Sequence, residues 1–554
     1  MHPKEHISIL PGLLKVKGAQ NVIISPGSRN APLIKLFFDN FGESCLSIVD
    51  ERSAAFFGLG MAIKTGLPSI LLSTSGSAVL NYAPAIAEAY YQGIPLIVVT
   101  ADRPPEWVGQ NDNQTILQKN IFANYIKYSC QLPLDCTCND DLWYTNRMVN
   151  EAYNISVSGC PGPVHINVPL REPLYGQLTV SKYLRNIELS ETGTFSLGNE
   201  VYEKWYSSQR ILVVCGQMLP DIELSGILNQ LAGSGMAVVI AEALANIGGR
   251  HIANNPELLL AMAGDKVKDN LPSLVIYFGG QVVSKRLKAY LRQIEGVPFW
   301  HINPSGAHID TFKKLSKVIP LSPKDFFREI IKNMPTGSST GFCEYWLTLD
   351  KQATDRVNSL LPESGFSDLW AFFMLSRLIS KNELVFAGNS SVIRYLQLFG
   401  FSGKALFSNR GTSGIDGCLS TACGIARTSA ENVIAILGDL SFVYDSNGLW
   451  NKNLPKNLKV VVINNSGGGI FSLLEGPEPS DVFERFQVAH HPVNLSILSA
   501  AFGVKYLACN NAETFEGSFH QLMATNTAAL LEIKTPSGQN PEIFRTFIEN
   551  ISKQ

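Results

Sequence analysis

The chain has 554 residues, of which 45% are hydrophobic and 17% charged, and its formal net charge is −2. That length predicts three or four domains of about 150 residues each, and the composition suits a soluble globular protein with a sizeable core. No basic tail or Lys/Arg run marks a nucleic-acid partner, and no apolar run reaches the roughly 20 residues that cross a bilayer. The opening MHPKEHISIL lacks the apolar core of a signal peptide. Ten cysteines are scattered along the chain. Cys136 and Cys138 stand one residue apart with no CxxC pair nearby, so buried reduced thiols in a cytoplasmic protein are expected. Neither a Walker A loop nor a GxGxxG fingerprint occurs.

The first third repeats a short apolar run, a small-residue loop and an amphipathic stretch. Asn21–Ser25, Cys45–Val49, Ser69–Ser73 and Pro95–Ala101 read as strands, followed by PGSRNAPLIKLFF, DERSAAFFGLGMAIK, TSGSAVLNYAPAIAEAYY and DRPPE. Gly162–Leu170 reads as a closing strand. Strands alternating with helices predict βαβ units and a parallel sheet. The polar stretch Thr179–Asn199 reads as a linker, and a second α/β region follows with strands at Ile211–Cys215, Met236–Ala241, Leu274–Phe278 and Val297–Ile302. Met334–Gly341 reads as a second linker. Glu383–Gly388, Asn432–Gly438 and Leu458–Asn464 return to the opening style. The expected fold class is α/β, with three doubly wound parallel-sheet domains at 1–180, 195–335 and 345–554, the middle one Rossmann-like.

The run GDLSFVYDSNGLWNKNLPKNLKVVVINNSGGGIF spans Gly438–Phe471. It predicts a strand ending at Gly438, a helix opened by Asp439, and a second strand ending at Asn464-Asn465. Both polar tips belong at one sheet edge, the edge where open α/β sheets bind ligands. A carboxylate, an amide oxygen and a backbone carbonyl are hard donors suited to Mg²⁺, which takes phosphate oxygens as further ligands. The Ser441 hydroxyl and the first helical amides are placed to face the same anion. Two strand ends with ordinary polar turns are the plain alternative.

This stretch resembles the GDG…NN signature of thiamine-diphosphate enzymes, with Leu440 in place of the second glycine. The resemblance implies the thiamine-diphosphate-binding fold, with a pyrimidine-binding first domain and a diphosphate-binding third one. It implies that Asp439, Asn465 and the Gly467 carbonyl hold Mg²⁺, or Mn²⁺, on the cofactor's diphosphate. Such enzymes also need a carboxylate against N1′ of the aminopyrimidine. Glu51 fits, following a strand and opening a helix whose Ala54, Ala55 and Gly58 permit close packing. A lone Glu there would otherwise read as a helix-dipole partner. Glu51→Gln is expected to remove most turnover and leave the fold intact.

Further motifs extend the match along the chain: SPGSRNAPL, DERSAAFFGLG, TSGSAVLNYAPAIAEA, TADRPPE, NQTI, GPVHINVPLREPL, GNSSVIR, NRGTSGIDG and NNSGGGIFSLL. They are similar to the MenD family, the 2-succinyl-5-enolpyruvyl-6-hydroxy-3-cyclohexene-1-carboxylate synthases of menaquinone biosynthesis. The match is weakest in the middle domain. The resemblance implies a transferase that decarboxylates 2-oxoglutarate and adds the succinyl-semialdehyde carbanion equivalent to isochorismate. Both substrates carry carboxylates, for which Arg offers bidentate recognition. The candidates are Arg29, Arg103, Arg394 and Arg410, with Lys285 and Arg286 from the middle domain. Ser28, Gln114 and Ser390 would hydrogen-bond substrate, with Gln114 also a candidate for proton transfer. Phe471 and Leu474 would join Ile470 in an apolar wall. Ser75, Gly388, Asn389, Leu440, Ser441, Ser413 and Ile470 are implied cofactor contacts, and Ile415 the wedge that bends the cofactor. The pair His490-His491 reads as a loop feature or an indirect neighbour of the site.

In the resembling enzymes the glutamate and the metal site come from different subunits, so a homodimer or homotetramer with interfacial active sites is implied. Two other readings stay open. One is a different thiamine-diphosphate enzyme, such as acetolactate synthase or a 2-oxo acid decarboxylase. The other is an inert ligand-binding regulator, against which Glu51, Asp439 and Asn465 all being present weighs.

Overall fold

The computed structural model describes residues 3–176, 178–190, 197–332, 341–400, 403–473 and 480–553. It contains three six-stranded sheets, and every strand pairing in them is parallel. The first comprises β1 (Asn21–Ser25), β2 (Cys45–Ser47), β3 (Ser69–Ser73), β4 (Leu96–Asp102), β5 (Tyr128–Gln131) and β6 (Val164–Pro169). The second comprises β7 (Ile211–Cys215), β8 (Ala237–Ala241), β9 (Ile252–Ala253), β10 (Leu274–Phe278), β11 (Phe299–Ile302) and β12 (Leu315–Ile319). The third comprises β13 (Leu384–Ala387), β14 (Ala405–Phe407), β15 (Val433–Gly438), β16 (Leu458–Asn464), β17 (Lys505–Cys509) and β18 (Ala529–Lys534).

The first and third sheets share one topology. Their orders are β2-β1-β3-β4-β6-β5 and β14-β13-β15-β16-β18-β17, the same path renumbered. Each reverses direction between its first and third strands, at β1/β3 and at β13/β15, and such a reversal opens a crevice beyond the carboxyl ends. The middle sheet runs β12-β11-β10-β7-β8-β9, the Rossmann order. Central strands such as β4, β7, β8 and β10 are buried along their whole length, as sheets covered on both faces require.

One hydrophobic core runs through the first and third domains, joining Ile23, Leu71 and Phe57 to Leu419, Ile425 and Val462. The helix Glu51–Thr65 lies at its centre. It is apolar on every side, with Ser53 through Ile63 all buried, as expected of a helix packed on all faces. Asp50 caps it by accepting from the Ser53 amide at 3.0 Å, and Gly66 ends it in the left-handed conformation. Its principal partner is the helix Cys418–Arg427.

Of the first expected linker, residues 179–190 carry no helix or strand, 191–196 lie outside the described residues, and Asn199 opens the helix Asn199–Ser207. Of the second, 334–340 lie outside the described residues, and Gly341 opens the helix Gly341–Leu360. No helix among the described residues is long and apolar enough to cross a membrane.

Candidate active site

The β13/β15 crevice collects the acidic and amide groups of the GD…NN run. Asp439 follows directly on β15, opens the helix Asp439–Tyr444, and is 1% exposed. Its Oδ1 accepts from the Leu440 amide and its Oδ2 from the Gly467 amide, each at 2.8 Å. Asn465, just past β16, donates its side-chain amide to Asp368 Oδ2 at 2.7 Å, which turns its carbonyl oxygen away from Asp368. Gly467 has φ 145°, and a Cβ there would sit 2.6 Å from the Val488 carbonyl oxygen. Only glycine fits this turn. Burial pushes both Asp439 and Asp368 above the ordinary carboxylate range. A crowded, dry carboxylate beside an amide oxygen and a backbone carbonyl is a donor set that a hard divalent cation would relieve.

The loop 409–415 forms the other wall. Asn389, after β13, donates its amide to the carbonyls of Asn409 and Gly414, each at 2.6 Å, and accepts from Arg410 Nη1 at 2.9 Å. The Ser441 hydroxyl donates to the Ile415 carbonyl at 2.8 Å, joining two of the expected cofactor contacts. Ser413, at φ 62°, donates to Gln281 Oε1 of the middle domain at 3.3 Å. From the first domain, fully buried Glu88 accepts from the amides of Gly411 and Thr412 and from the Thr412 hydroxyl, each at 2.6 Å. All three domains therefore hold this loop.

The matching crevice of the first sheet lies at β1/β3. Gly27 packs so tightly on Thr74 that a Cβ would lie 2.5 Å from its hydroxyl oxygen. Ser75 is buried there with a hydroxyl that has no hydrogen-bond partner among the described residues. Arg29 is 5% exposed, donates to the Leu170 carbonyl at 2.9 Å and pairs with Glu172 at 3.2 Å. Arg103 forks onto the Asn113 carbonyl at 3.2 and 2.8 Å and pairs with Asp112 at 3.3 Å. Gln114 follows at φ 51°, against Gly76. Burial lowers the Arg29 pKa, and the Arg103 charge adds to the effect, so the two guanidiniums lie close enough to repel. Glu51 opens its helix beside Tyr82, whose hydroxyl donates to Ser25 at 3.1 Å at the end of β1. Burial pushes that phenol up, with a smaller contribution from the Glu51 carboxylate.

The structure brings the expected residues together in three groups. Ser28, Arg29, Ser75, Arg103 and Gln114 gather at the first sheet's edge. Gly388, Asn389, Ser413, Ile415, Asp439, Leu440, Ser441, Asn465 and Gly467 gather at the third's. Lys285, Arg394 and Ile470 line a cavity of about 120 Å³ between the middle and third domains. Arg286 turns to Glu257 at 3.5 Å, whereas Arg410 borders a cavity of about 520 Å³ lined by residues of all three domains. Ser390 sits at φ 68°, Phe471 is 36% exposed, and Leu474 lies outside the described residues.

Asp368, Glu88 and Gln118 escaped the sequence reading, and His491 was read only as an indirect neighbour. Gln118, 1% exposed, accepts from the Gly76 amide and donates to the Ala101 carbonyl and Asn167, each at 3.0 Å. His491 approaches Asp439 Oδ2 to 3.4 Å, a direct contact for one of the histidine pair. A carboxylate inside the apolar run AIAEAYY was the available signal for Glu88. Asp368 and Gln118 left none, because each is brought to the site by the fold, while the adjacent histidine pair was the signal for His491.

Comparison with known proteins matches each of the three domains to a family model. Residues 8–121 match the N-terminal TPP binding domain of thiamine pyrophosphate enzymes, 185–387 their middle domain and 387–533 their C-terminal TPP binding domain. The 2-succinyl-5-enolpyruvyl-6-hydroxy-3-cyclohexene-1-carboxylate synthase of Desulfotalea psychrophila is 41% identical over 93% of this chain and 95% of its own. The proteins of the same name from Flavobacterium johnsoniae and Porphyromonas gingivalis are 37% and 35% identical, over 100% and 99% of this chain and 100% and 97% of theirs. With a thiamine pyrophosphate domain at either end and full-length relatives of one name, the chain belongs to the 2-succinyl-5-enolpyruvyl-6-hydroxy-3-cyclohexene-1-carboxylate synthase family of thiamine-diphosphate-dependent enzymes.

Proposed function

We propose that this enzyme takes 2-oxoglutarate and isochorismate as its two substrates, with the aminopyrimidine of thiamine diphosphate on the first domain and its diphosphate on the third. The observation that carries this reading is the pairing of a hard-oxygen site, Asp439 with Asn465, with the arginine-rich edge at Arg29 and Arg103 and the basic cavity at Lys285 and Arg394. Asp439, Asn465 and the Gly467 carbonyl hold Mg²⁺ or Mn²⁺, and Asp368 keeps the Asn465 oxygen aimed by binding its amide nitrogen. Gly388, Asn389, Ser413, Leu440 and Ser441 line the diphosphate. Ile415 and Ile470 support the rings. Ser75, with its buried unpaired hydroxyl, is a further donor.

When bound, thiamine diphosphate supplies the electron sink that lets CO₂ leave a 2-oxo acid. The protein supplies position and charge. Glu51 holds the proton at N1′ of the aminopyrimidine. Arg29, Arg103, Arg394 and Arg410, with Lys285 and Arg286, fix the carboxylates of the two substrates. Ser28 and Ser390 add hydrogen bonds. Gln114, on its loop at positive φ, would serve as a proton donor or acceptor toward the substrates, and Phe471 and Leu474 would keep water from the reacting carbons.

A homodimer or homotetramer belongs to this reading, with Glu51 of one subunit serving the metal site of its partner. Large apolar side chains left open on the first and third domains support it: Val49, Leu80, Tyr444 and Trp450 are each about half exposed. A cytoplasmic setting goes with ten free thiols. The test is CO₂ release from 2-oxoglutarate with and without isochorismate, with mass analysis of the product. A joined product that forms only when both acids are present is expected. Preference for pyruvate, or indifference to isochorismate, would overturn the assignment.

A further inference from the structure

Two hydrogen bonds flank Glu51 and lead to one short segment of the third domain. Before it, Asp50 Oδ2 accepts from the Asn447 side-chain amide at 2.7 Å. After it, Arg52 Nη2 donates to the Tyr444 carbonyl at 2.7 Å, and its guanidinium lies 4.6 Å from the centre of the Tyr444 ring. Among the described residues the Glu51 carboxylate itself makes no hydrogen bond or ion pair. The chain around it is fixed, and its own head is left for something else.

The anchor is rigid. Asp445, between the two contact residues, is fully buried and accepts from the Ser420 amide at 2.7 Å and the Ser420 hydroxyl at 3.0 Å. Its carbonyl receives the Gly448 amide at 2.9 Å. The segment is thus tied to the helix Cys418–Arg427, which itself packs on the Glu51 helix. Tyr444 also ends the six-residue helix that Asp439 begins. The aim of Glu51 is therefore set from the far end of the element that carries the metal carboxylate.

We infer that Asn447 and Arg52 are positioning residues for Glu51: together with Asp50 and the Tyr444 carbonyl they form a clasp that fixes the first turn of its helix and so the direction of its carboxylate. The inference rests on the reading of Glu51 as the proton partner of the cofactor. Asp50 has two tasks in it. One oxygen caps the helix through the Ser53 amide, and the other takes Asn447. Loss of the second bond frees the cap to rotate without removing it, and a displacement near 1 Å at a catalytic group costs about 100-fold in rate.

The decisive variants are N447D and the double variant D50N/N447D. The first sets two carboxylates against each other. The second restores the bond with donor and acceptor exchanged, since an asparagine side chain in place of Asp50 still caps through its amide oxygen. Two readouts apply to the full-length protein. One is exchange of the C2 proton of thiamine diphosphate into D₂O, with Mg²⁺ bound and no substrate present. The other is amide hydrogen exchange over residues 50–56 without cofactor. N447D is expected to slow C2 exchange about tenfold or more, to quicken amide exchange in that turn, and to leave cofactor affinity within about threefold. The double variant is expected to return both rates to near the wild-type values. Wild-type C2 exchange in N447D, or equal impairment of the double variant, overturns the clasp. Wild-type C2 exchange in E51Q instead overturns the role of Glu51 itself. Should N447D fail to fold, R52K is read by the same C2 criterion, since lysine keeps the charge but loses the stacked, directed guanidinium.

Discussion

Gly60 of the Glu51 helix rests against the carbonyl oxygen of Thr421 so closely that a methyl group at position 60 would collide with it, and Gly424 meets the Phe57 carbonyl in the same way from the opposite side. Two glycines thus let the first and third domains approach backbone to backbone. Gly60→Ala is expected to destabilise the protein by more than the ~1–3 kcal/mol of ordinary overpacking, because the obstacle is main chain. Gly58→Ala is the control. Its Cβ would meet first the movable end of the Leu71 side chain and then the Ile23 side chain rather than main chain, and the helix gains about 1 kcal/mol of propensity. Urea unfolding of the two variants checks this, and equal midpoints would refute it.

Asp445 predicts a pH dependence. Burial pushes its carboxyl up to about 7 from an ordinary 3.8, with Ser420 and Arg52 opposing. The folded state therefore holds a proton that the unfolded chain has already lost between those values. Stability from this group is full below about 3.8, falls as the pH rises, and levels off above about 7. Asp445→Asn removes this contribution while its amide oxygen can still accept from Ser420. Relative to wild type, the variant is expected to gain stability between about pH 5 and about pH 8. An unchanged difference in urea midpoint across that window would count against the assignment.

Removing the metal contact separates binding from folding. Wild-type protein given Mg²⁺ and thiamine diphosphate at about 100 times the dissociation constant gains about 2.7 kcal/mol, read as a rise in melting temperature that EDTA reverses. Asp439→Ala strips the Leu440 and Gly467 amides of their acceptor, so it is expected to melt below wild type without ligands, at about 1–3 kcal/mol for each amide left unsatisfied, and to show little further rise with them. A full ligand-induced rise in that variant would place the metal elsewhere.

Gln118 predicts a coupled loss. Its amide connects Gly76, Ala101 and Asn167 in a buried network. Gln118→Leu leaves those groups short of a partner, at about 1–3 kcal/mol for each one left unsatisfied. Because Gly76 packs on Gln114, kcat is expected to fall as well. Unaltered turnover at a temperature where the variant is fully folded would reduce Gln118 to a core residue.

Much of this was legible along the chain, for a definite reason. Strands β1, β3, β7, β10 and β15 are continuous apolar runs between turn residues, and the groups at the ends of such strands carry the chemistry. Other strands escaped for separate reasons. β18 contains Glu532, which is buried and accepts from Asn464 at 2.5 Å and from Tyr506. β5, Tyr128–Gln131, is a polar edge strand, and β14 has only three residues. The site divides in the same way. Asp439, Asn465 and Glu51 follow strands and are visible as motifs. The supporting residues are remote from what they hold. Gln118 lies 42 positions from Gly76, Asp368 lies 97 from Asn465, Glu88 lies 323 from Gly411, and Asn447 lies 397 from Asp50. No local pattern reports such distances.

The Asp439–Tyr444 helix has a practical consequence for anyone transplanting domains between relatives. A chimera that takes its opening domain from one parent and its closing domain from another must carry residues 50–52 and 444–447 from the same source, together with the glycine pair at 60 and 424. Separated, the donor carboxylate arrives with its mooring left behind.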